Sequence, residues 1–367
     1  MKVFMPANVM QLQEKSNWFE MDACKELTKR GVEFGFEIKD FIGDRGVKID
    51  LPFAIHLPYD FVNLMCAPES RNWAKLLLNR ITYLHPSPYY VVLHGMRLGG
   101  NKEEPPSREK RYISRFGAGE YGDALNRTVE IARDLKKFFG PSVRVAIENT
   151  PFTNIYQPPA NFFQGDDGQQ VMETCLCIRV GSLSDSLLFL RRGADCDIVV
   201  DFEHLSIALG FAQRSGFYDK LEGKIPPNLS IEEGKLIKEC GLFLRKEFTP
   251  IVTAPFGSLE EEIECLGPDI YIYHIAGSCG CGEWHEICEG KVAHHSSILP
   301  GDKNVIRMLN FLRRIQRSND FIFVLEVCGS GDIPGNKHPE MWTTRSAKAQ
   351  RESLDVFCQM LLDIWYK

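Results

Sequence analysis

Six short apolar segments of this sequence each run into a residue that can bind a metal ion. They read AIHLP, VVLHG, VAIENT, IVVDFEH, YIYHIAG and FVLEVCG, and the polar residues concerned are His56, His94, Glu148, Asp201, His204, His274 and Glu326. A mixed set of imidazole and carboxylate groups suits Zn, Mn or Fe better than Ca or Mg. Buried carboxylates without partners are unfavourable, and a shared cation removes that cost. We therefore predict a divalent-metal site of one to three ions.

Apolar runs of this kind, rich in Val, Ile, Leu and Tyr, are typical of strands that are buried on both faces. Residues that end such strands far apart in the chain converge only if the strands are parallel and curl around one axis. This is the active-site arrangement of a (β/α)8 barrel, where the chemistry lies at the C-terminal ends of the strands. Each interval between successive strand ends exceeds the roughly 30 residues of a βα unit, so each can hold a helix.

We expect an α/β fold, a (β/α)8 TIM barrel formed by residues 1–367 as one domain. Two earlier apolar segments, Val3–Met5 and Phe34–Ile38, complete the ring of strands. The predicted strands lie near residues 2–6, 33–38, 52–56, 89–94, 143–148, 197–201, 269–274 and 321–326. Apolar residues at helical spacing predict helices over Asp22–Arg30, Arg71–Leu84, Ala124–Phe139 and Val305–Ile315.

Three loop insertions, near residues 97–121, 152–180 and 279–300, follow strand ends directly and so belong to the catalytic face. Long loops in this position are more often functional than not. The third insertion contains Cys279, Cys281 and Cys288, whose spacing leaves a separate structural zinc site as an open alternative. Sequence alone does not decide which of His294 and His295 turns inward.

The composition is that of a globular protein, with 44% hydrophobic and 25% charged residues. No apolar run approaches the roughly 18 residues of a membrane helix, and the apolar part of the N-terminus is short for a signal peptide. The 12 cysteines lack the density of a disulfide scaffold, so we expect a cytoplasmic protein. The net charge of −6 does not indicate DNA as a partner, although it leaves room for a local basic groove.

The residue blocks resemble those of the xylose isomerase-like TIM barrels, which include endonuclease IV-type abasic-site nucleases and sugar or sugar-phosphate isomerases and epimerases. HLPYDFVNL followed by VVLHG is similar to the stretch from the third to the fourth strand of endonuclease IV. IENTP, DFEH, HIAGS, HHSS with PGD, and LEV are similar to its later blocks. The resemblance covers about residues 50–330 in separate blocks and implies the barrel fold and a divalent-metal cofactor.

The resemblance also implies roles for individual residues. Both branches share a metal quartet, which matches Glu148, Asp201, His274 and Glu326. The nuclease branch adds an ion on the positions of His56, His94 and the bridging Glu148, and a third ion on those of His204 and His294. Two departures stand out: Val292 replaces the Asp expected two residues before His294, and the first strand, VFMPANVM, lacks the usual histidine.

The candidates for substrate binding are Tyr59, Asn149 and Arg97. Tyr59 matches a nuclease residue that helps to distort DNA, and it is equally consistent with ordinary packing. Asn149 belongs to the ENT block, and the guanidinium of Arg97 could bind phosphate.

Two reactions fit these residues, with Glu148 and Glu326 as the catalytic pair. In phosphoester hydrolysis, the preferred interpretation, several ions activate water and stabilise charge on the phosphoester oxygens. The alternative is a sugar or sugar-phosphate isomerase or epimerase, in which one ion holds the sugar and the two glutamates exchange a proton as acid and base. A non-catalytic metal-binding scaffold is a third interpretation. The expected substrate is a phosphoester or a sugar, without a membrane partner, and the oligomeric state is left open.

Overall fold

The structure is a computed structural model, and it describes residues 1–8, 11–39, 49–59, 61–84, 86–98, 118–150, 178–215, 258–278, 287–288, 291–292, 295–316, 320–327 and 344–367.

Eight parallel strands close into a barrel and follow one another around it in chain order. They are β1 (Lys2–Ala7), β2 (Glu33–Ile38), β3 (Phe53–His56), β4 (Tyr90–His94), β5 (Arg144–Glu148), β6 (Asp197–Asp201), β7 (Ile272–Ile275) and β8 (Ile322–Leu325). β1 pairs with both β2 and β8, which closes the ring. The predicted (β/α)8 fold is confirmed, and each strand overlaps its predicted range.

Helices connect the strands. They are α1 (Leu12–Ser16), a 3₁₀ turn (Asn17–Glu20), α2 (Asp22–Lys29), α3 (Phe61–Cys66), α4 (Pro68–Ile81), α5 (Ala118–Phe139), α6 (Ser184–Ala194), α7 (Phe202–Ser215), α8 (Leu259–Leu266), α9 (Lys303–Ile315) and α10 (Thr344–Trp365). The four predicted helices correspond to α2, α4, α5 and α9. Proline occupies the first turn of α4, where its missing N–H costs no hydrogen bond.

Among the described residues, two separate apolar clusters hold the barrel together. The first joins the outward side chains of the strands to the helices, as Val91 and Leu309 do. The second fills the interior of the barrel, because alternate residues of a strand point to opposite faces. We call this second cluster the apolar layer; it consists of Phe4, Ala54, Tyr90, Val92, Ala146, Val199, Ile272, Ile322 and Val324. It closes the bottom of any cavity at the C-terminal ends of the strands.

The three predicted insertions lie largely outside the described residues, as do Cys279, Cys281 and His294. Their described parts include two short antiparallel pairs. Arg97–Leu98 pairs with Ile178–Arg179, which joins the first two insertions, and Ile287–Cys288 pairs with Lys291–Val292. Among the described residues, no helix has the length and apolar character needed to cross a membrane.

Candidate metal centre

The predicted strand-end residues form one ring at the C-terminal mouth of the barrel. Each lies two positions beyond a member of the apolar layer on the same strand, so it faces the barrel axis as well. We call these residues the polar layer: His56, His94, Glu148, Asp201, His274 and Glu326. The strand register places His94 beside Glu148 and Asp201 beside His274. All six are buried.

The first group of potential ligands is His56, His94 and Glu148. The Nε2 atoms of His56 and His94 lie 2.8 and 3.4 Å from Oε2 of Glu148. Nδ1 of His56 donates a hydrogen bond to the carbonyl oxygen of Leu57 at 2.9 Å, because that oxygen can only accept. In a neutral His56 the other nitrogen therefore presents a lone pair to a carboxylate oxygen. A proton or a metal ion must lie between these two acceptors.

The second group is the quartet of Glu148, Asp201, His274 and Glu326. Nδ1 of His274 lies 2.6 Å from Oε2 of Glu326 and 3.4 Å from Oε1 of Glu148. Its Nε2 lies 3.1 Å from Oε2 of Glu37 on β2. Burial would lower the pKa of His274, but the Glu37 and Glu148 carboxylates offset this and raise it to about 10. Without a metal, the imidazole is therefore held as a cation between carboxylates.

The carboxylates respond to the same charges in the opposite direction. Burial would raise the pKa of Glu148, but His274 and His94 hold it well below its ordinary value. Burial would also raise the pKa of Glu37, and His274 and Lys39 instead lower it to about 2. Both side chains are therefore ionised at neutral pH despite being fully buried.

The third group is Asp201, His204 and His295. His204 lies in the first turn of α7 rather than at a strand end, and its backbone N–H donates to Oδ1 of Asp201 at 2.7 Å. Burial would lower the pKa of His204, but Asp201 and Glu148 raise it to about 9. The resemblance predicted His294 for this group, and His294 lies outside the described residues. His295 is the neighbour that the structure places here, with its ring centroid 5.2 Å from that of His204.

Two contacts hold His295 in place. Its backbone has a φ of 52°, a left-handed conformation that is uncommon for a residue with a side chain. Its backbone N–H lies 2.8 and 3.1 Å from the two carboxylate oxygens of Glu203, which accept it. The second contact is the bridge between Ser296 and Gly277, which follows β7. A Cβ on Gly277 would lie 1.9 Å from the Ser297 carbonyl oxygen. A glycine is required for this close approach.

The donor set fits a divalent cation. Imidazole nitrogens and carboxylate oxygens face one another across distances that only a proton or a cation makes favourable. Among the described residues, the buried Oε1 of Glu148 accepts no hydrogen bond, although imidazole nitrogens of His274 and His204 lie 3.4 and 3.5 Å away. A metal ion bound by such groups resolves the repulsion between their lone pairs.

Two charged residues at the end of β2, Glu37 and Lys39, were not among the residues predicted from the sequence. Glu37 also accepts a hydrogen bond from the Tyr90 hydroxyl at 3.0 Å. The Lys39 ammonium forms a close ion pair with Glu326 and lies 3.7 Å from Oε1 of Glu37. The alternation of side chains along β2 could have identified Glu37, because it places this residue on the inner face of the strand. The strand itself ends in neither His, Asp nor Glu.

The proposed substrate-binding residues have different surroundings. Tyr59 is 38% exposed at the mouth of the barrel, and its ring packs against that of His94 with centroids 4.5 Å apart. The buried amide of Asn149 bonds the backbone N–H and carbonyl of Asp201 at 2.6 and 3.0 Å, so it fixes β5 against β6. The backbone of Arg97 lies in its short strand, and its side chain lies outside the described residues. Substrate contact by these three residues stays a prediction.

No protein-family model matches the sequence, and no curated protein matches it either. Among solved structures, the chain is similar to a protein from Anabaena variabilis described as a "putative sugar phosphate isomerase/epimerase". The two are 12% identical, 99% of each chain is covered, and the TM-score is 0.42. A likeness at this level says nothing about the reaction.

Proposed function

We propose that this chain is a divalent-metal-dependent phosphoesterase. The observation that carries the proposal is the sharing of carboxylates between the three ligand groups. Glu148 belongs to both the first group and the quartet, and Asp201 belongs to both the quartet and the third group. Carboxylates that bridge neighbouring ions are suited to a centre that handles the attacking and leaving oxygens of a phosphoester together. An enzyme that uses one ion has no need for the His56–His94 group.

When bound, ions in this centre would act as Lewis acids toward phosphoester oxygens and lower the pKa of a water molecule. Glu148 would hold the two neighbouring ligand groups in register. Glu326 is the most exposed of the four quartet residues, and it would orient the attacking water and accept its proton. Lys39 is paired with Glu326, and its positive charge would help to stabilise negative charge that develops on a phosphoryl group bound beside Glu326.

A sugar or sugar-phosphate isomerase or epimerase is the second candidate. The observation in its favour is the position of Glu148 and Glu326, whose carboxylate oxygens lie 3.4 and 2.6 Å from the same nitrogen of His274. These two glutamates of the quartet could act as base and acid, one removing a proton from a carbon of the sugar and the other returning a proton on the opposite face or to the neighbouring carbon. This reaction would use the quartet and would leave the His56–His94 group without a catalytic part.

Metal content combined with a substrate panel tests the proposal. Protein freed of metal with a chelator and reloaded with Zn²⁺ or Mn²⁺ is incubated with abasic-site DNA, bis(p-nitrophenyl) phosphate and a set of ketoses and ketose phosphates. We expect about two or three bound ions per chain and cleavage of a phosphoester that a chelator abolishes. Glu326→Gln should lower kcat by about 100-fold or more, because it removes the proton acceptor. Protein that binds no metal and leaves every phosphoester intact would refute the assignment.

His56→Ala separates the two candidate reactions. A phosphoesterase that depends on the first ligand group loses its activity with this variant. An isomerase that depends on the quartet alone keeps most of its turnover of a ketose. Conversion of a sugar that survives His56→Ala and is abolished by Asp201→Ala would therefore establish the second candidate.

A further inference from the structure

Glu37 is a fully buried carboxylate that belongs to none of the three ligand groups. It lies on the inner face of β2, where the registers of β1 and β3 place it beside Pro6 and Ala54. Its contacts span the boundary between the two layers, because it bonds Tyr90 of the apolar layer and His274 of the polar layer. A carboxylate at 0% exposure in this position is costly and needs a specific partner.

We propose that Glu37 is a positioning residue that determines which nitrogen of His274 faces the metal site. The inference rests on the proposed metal-dependent function and adds a residue to it. Oε2 of Glu37 lies 3.1 Å from Nε2 of His274, on the side of the ring away from Glu326 and Glu148. Because an ionised carboxylate can only accept a hydrogen bond, Nε2 carries a proton and Nδ1 is the nitrogen directed at the quartet.

The Tyr90 hydroxyl holds the Glu37 carboxylate in the position from which it contacts His274. It donates to the same oxygen of Glu37 at 3.0 Å and comes from the floor of the barrel, where its ring stacks on that of Phe4 with centroids 6.2 Å apart. The Glu37 carboxylate is thereby held between a fixed phenol and the imidazole that it orients. Hydrogen bonds of this kind to the second nitrogen of a ligating histidine fix both the tautomer and the ring orientation.

His56 is oriented by different means, which makes the assignment testable. Its Nδ1 donates to the backbone carbonyl of Leu57, so its Nε2 is the nitrogen that faces Glu148. His56 should therefore present Nε2 to bound metal and His274 should present Nδ1. The difference follows from the hydrogen-bond acceptor on the other side of each ring. A carbonyl is neutral and part of the backbone, whereas the acceptor behind His274 is a side chain that substitution can remove.

Zn²⁺ titrations of four variants test the proposal. Glu37→Leu removes the acceptor and should weaken Zn²⁺ binding by about 10- to 100-fold, the usual effect of losing such a partner. Glu37→Gln keeps an acceptor without the charge and should fall between wild type and Glu37→Leu. Tyr90→Phe should weaken binding by less than Glu37→Gln does. Glu33→Gln, the same change at the 52%-exposed start of β2, should leave the affinity unaltered and serves as the matched control.

A spectroscopic measurement separates positioning from a general structural effect. In long-range ¹H–¹⁵N correlation spectra of the Zn²⁺-loaded protein, the resonance that disappears in His274→Gln should show a protonated Nε2 and a metal-bound Nδ1. That pattern should be lost or mixed in Glu37→Leu and retained in Glu37→Gln. If the leucine variant does not fold, the weaker Zn²⁺ binding of Glu37→Gln still tests the proposal.

Three outcomes overturn the inference. If both Glu37 variants keep the wild-type Zn²⁺ affinity and the wild-type His274 pattern, the positioning role is refuted and the proposed metal-dependent function stands. A wild-type His274 with metal on Nε2 would do the same. Wild-type protein that binds no Zn²⁺ would overturn the proposed function together with this inference.

Discussion

The two layers inside the barrel are built on the same strands and have opposite chemistry. Val92 and His94 on β4, or Val199 and Asp201 on β6, lie two residues apart and both face the axis. The apolar layer gains stability from the removal of hydrocarbon from water. The polar layer has buried carboxylates and imidazoles that are costly without a shared cation. A step of two residues along the strand therefore separates the part that stabilises the fold from the part that we propose binds metal.

The largest expected effect comes from a pair of substitutions on β4, one in the polar layer and one in the apolar layer. His94→Ala should remove about one Zn²⁺ per chain, because it takes a ligand from the first group. In the metal-free protein it should also cost some stability, because His94 helps to hold the buried Glu148 carboxylate ionised. Val92→Ala should instead cost about 2–3 kcal/mol in folding stability, through lost burial and a cavity, and leave the metal content unchanged. Elemental analysis and urea unfolding in a chelator measure the two quantities.

These two variants are matched in strand, direction and burial. The distinction between the layers fails if His94→Ala retains full metal content, or if Val92→Ala loses metal while its folding stability equals that of the wild type.

The next prediction concerns Lys39, the positive charge at the rim of the polar layer. In the metal-free protein Lys39→Met leaves Glu326 and Glu37 without their ammonium partner, which should cost about 3 kcal/mol for a buried pair. Saturating Zn²⁺ should reduce this loss, because the metal would offset the same negative charge. The matched control is Lys2→Met, whose partner Glu33 is 52% exposed and whose ion pair should contribute less than about 1 kcal/mol. An equal loss for the two lysines would contradict this account.

The last prediction concerns the pH dependence of thermal stability. The pKa of His274 is raised to about 10, above its ordinary 6.5, and that of His204 is raised to about 9. Their contribution to the metal-free protein is therefore complete below about pH 6.5 and is lost as the pH rises toward 9–10, by at most about 1.4 kcal/mol per pH unit for each proton. Metal ligation needs both imidazoles in their neutral form, so stabilisation by Zn²⁺ should grow over the same range.

Melting temperatures with chelator and with Zn²⁺, taken from pH 6 to pH 9, measure both trends. The gap between the two curves should widen as the pH rises. A gap that is constant over this interval would show that neither histidine releases a proton when the metal binds.

The sequence by itself was sufficient for the fold, for a physical reason. Buried parallel strands are continuous apolar runs, and their C-terminal residues meet at one mouth once the barrel closes. Residues such as His94 and Glu148, which end their strands, could be grouped before any contact was known. The register then pairs these two directly. By contrast, the strand β2 ends without a ligand-type residue, so the pattern of strand ends does not predict a role for Glu37 one position earlier.

Only the tertiary structure decided how the site is held. The choice of His295 at the third group depends on Glu203, a carboxylate 92 residues away that accepts its backbone N–H, and such a contact leaves no local pattern. The orientation of His274 depends on Glu37, which is 237 residues away. The sequence determines which residues can reach the mouth of the barrel, because alternation and strand ends are local properties. Their rotation, pairing and protonation depend on neighbours that only the closed barrel brings together.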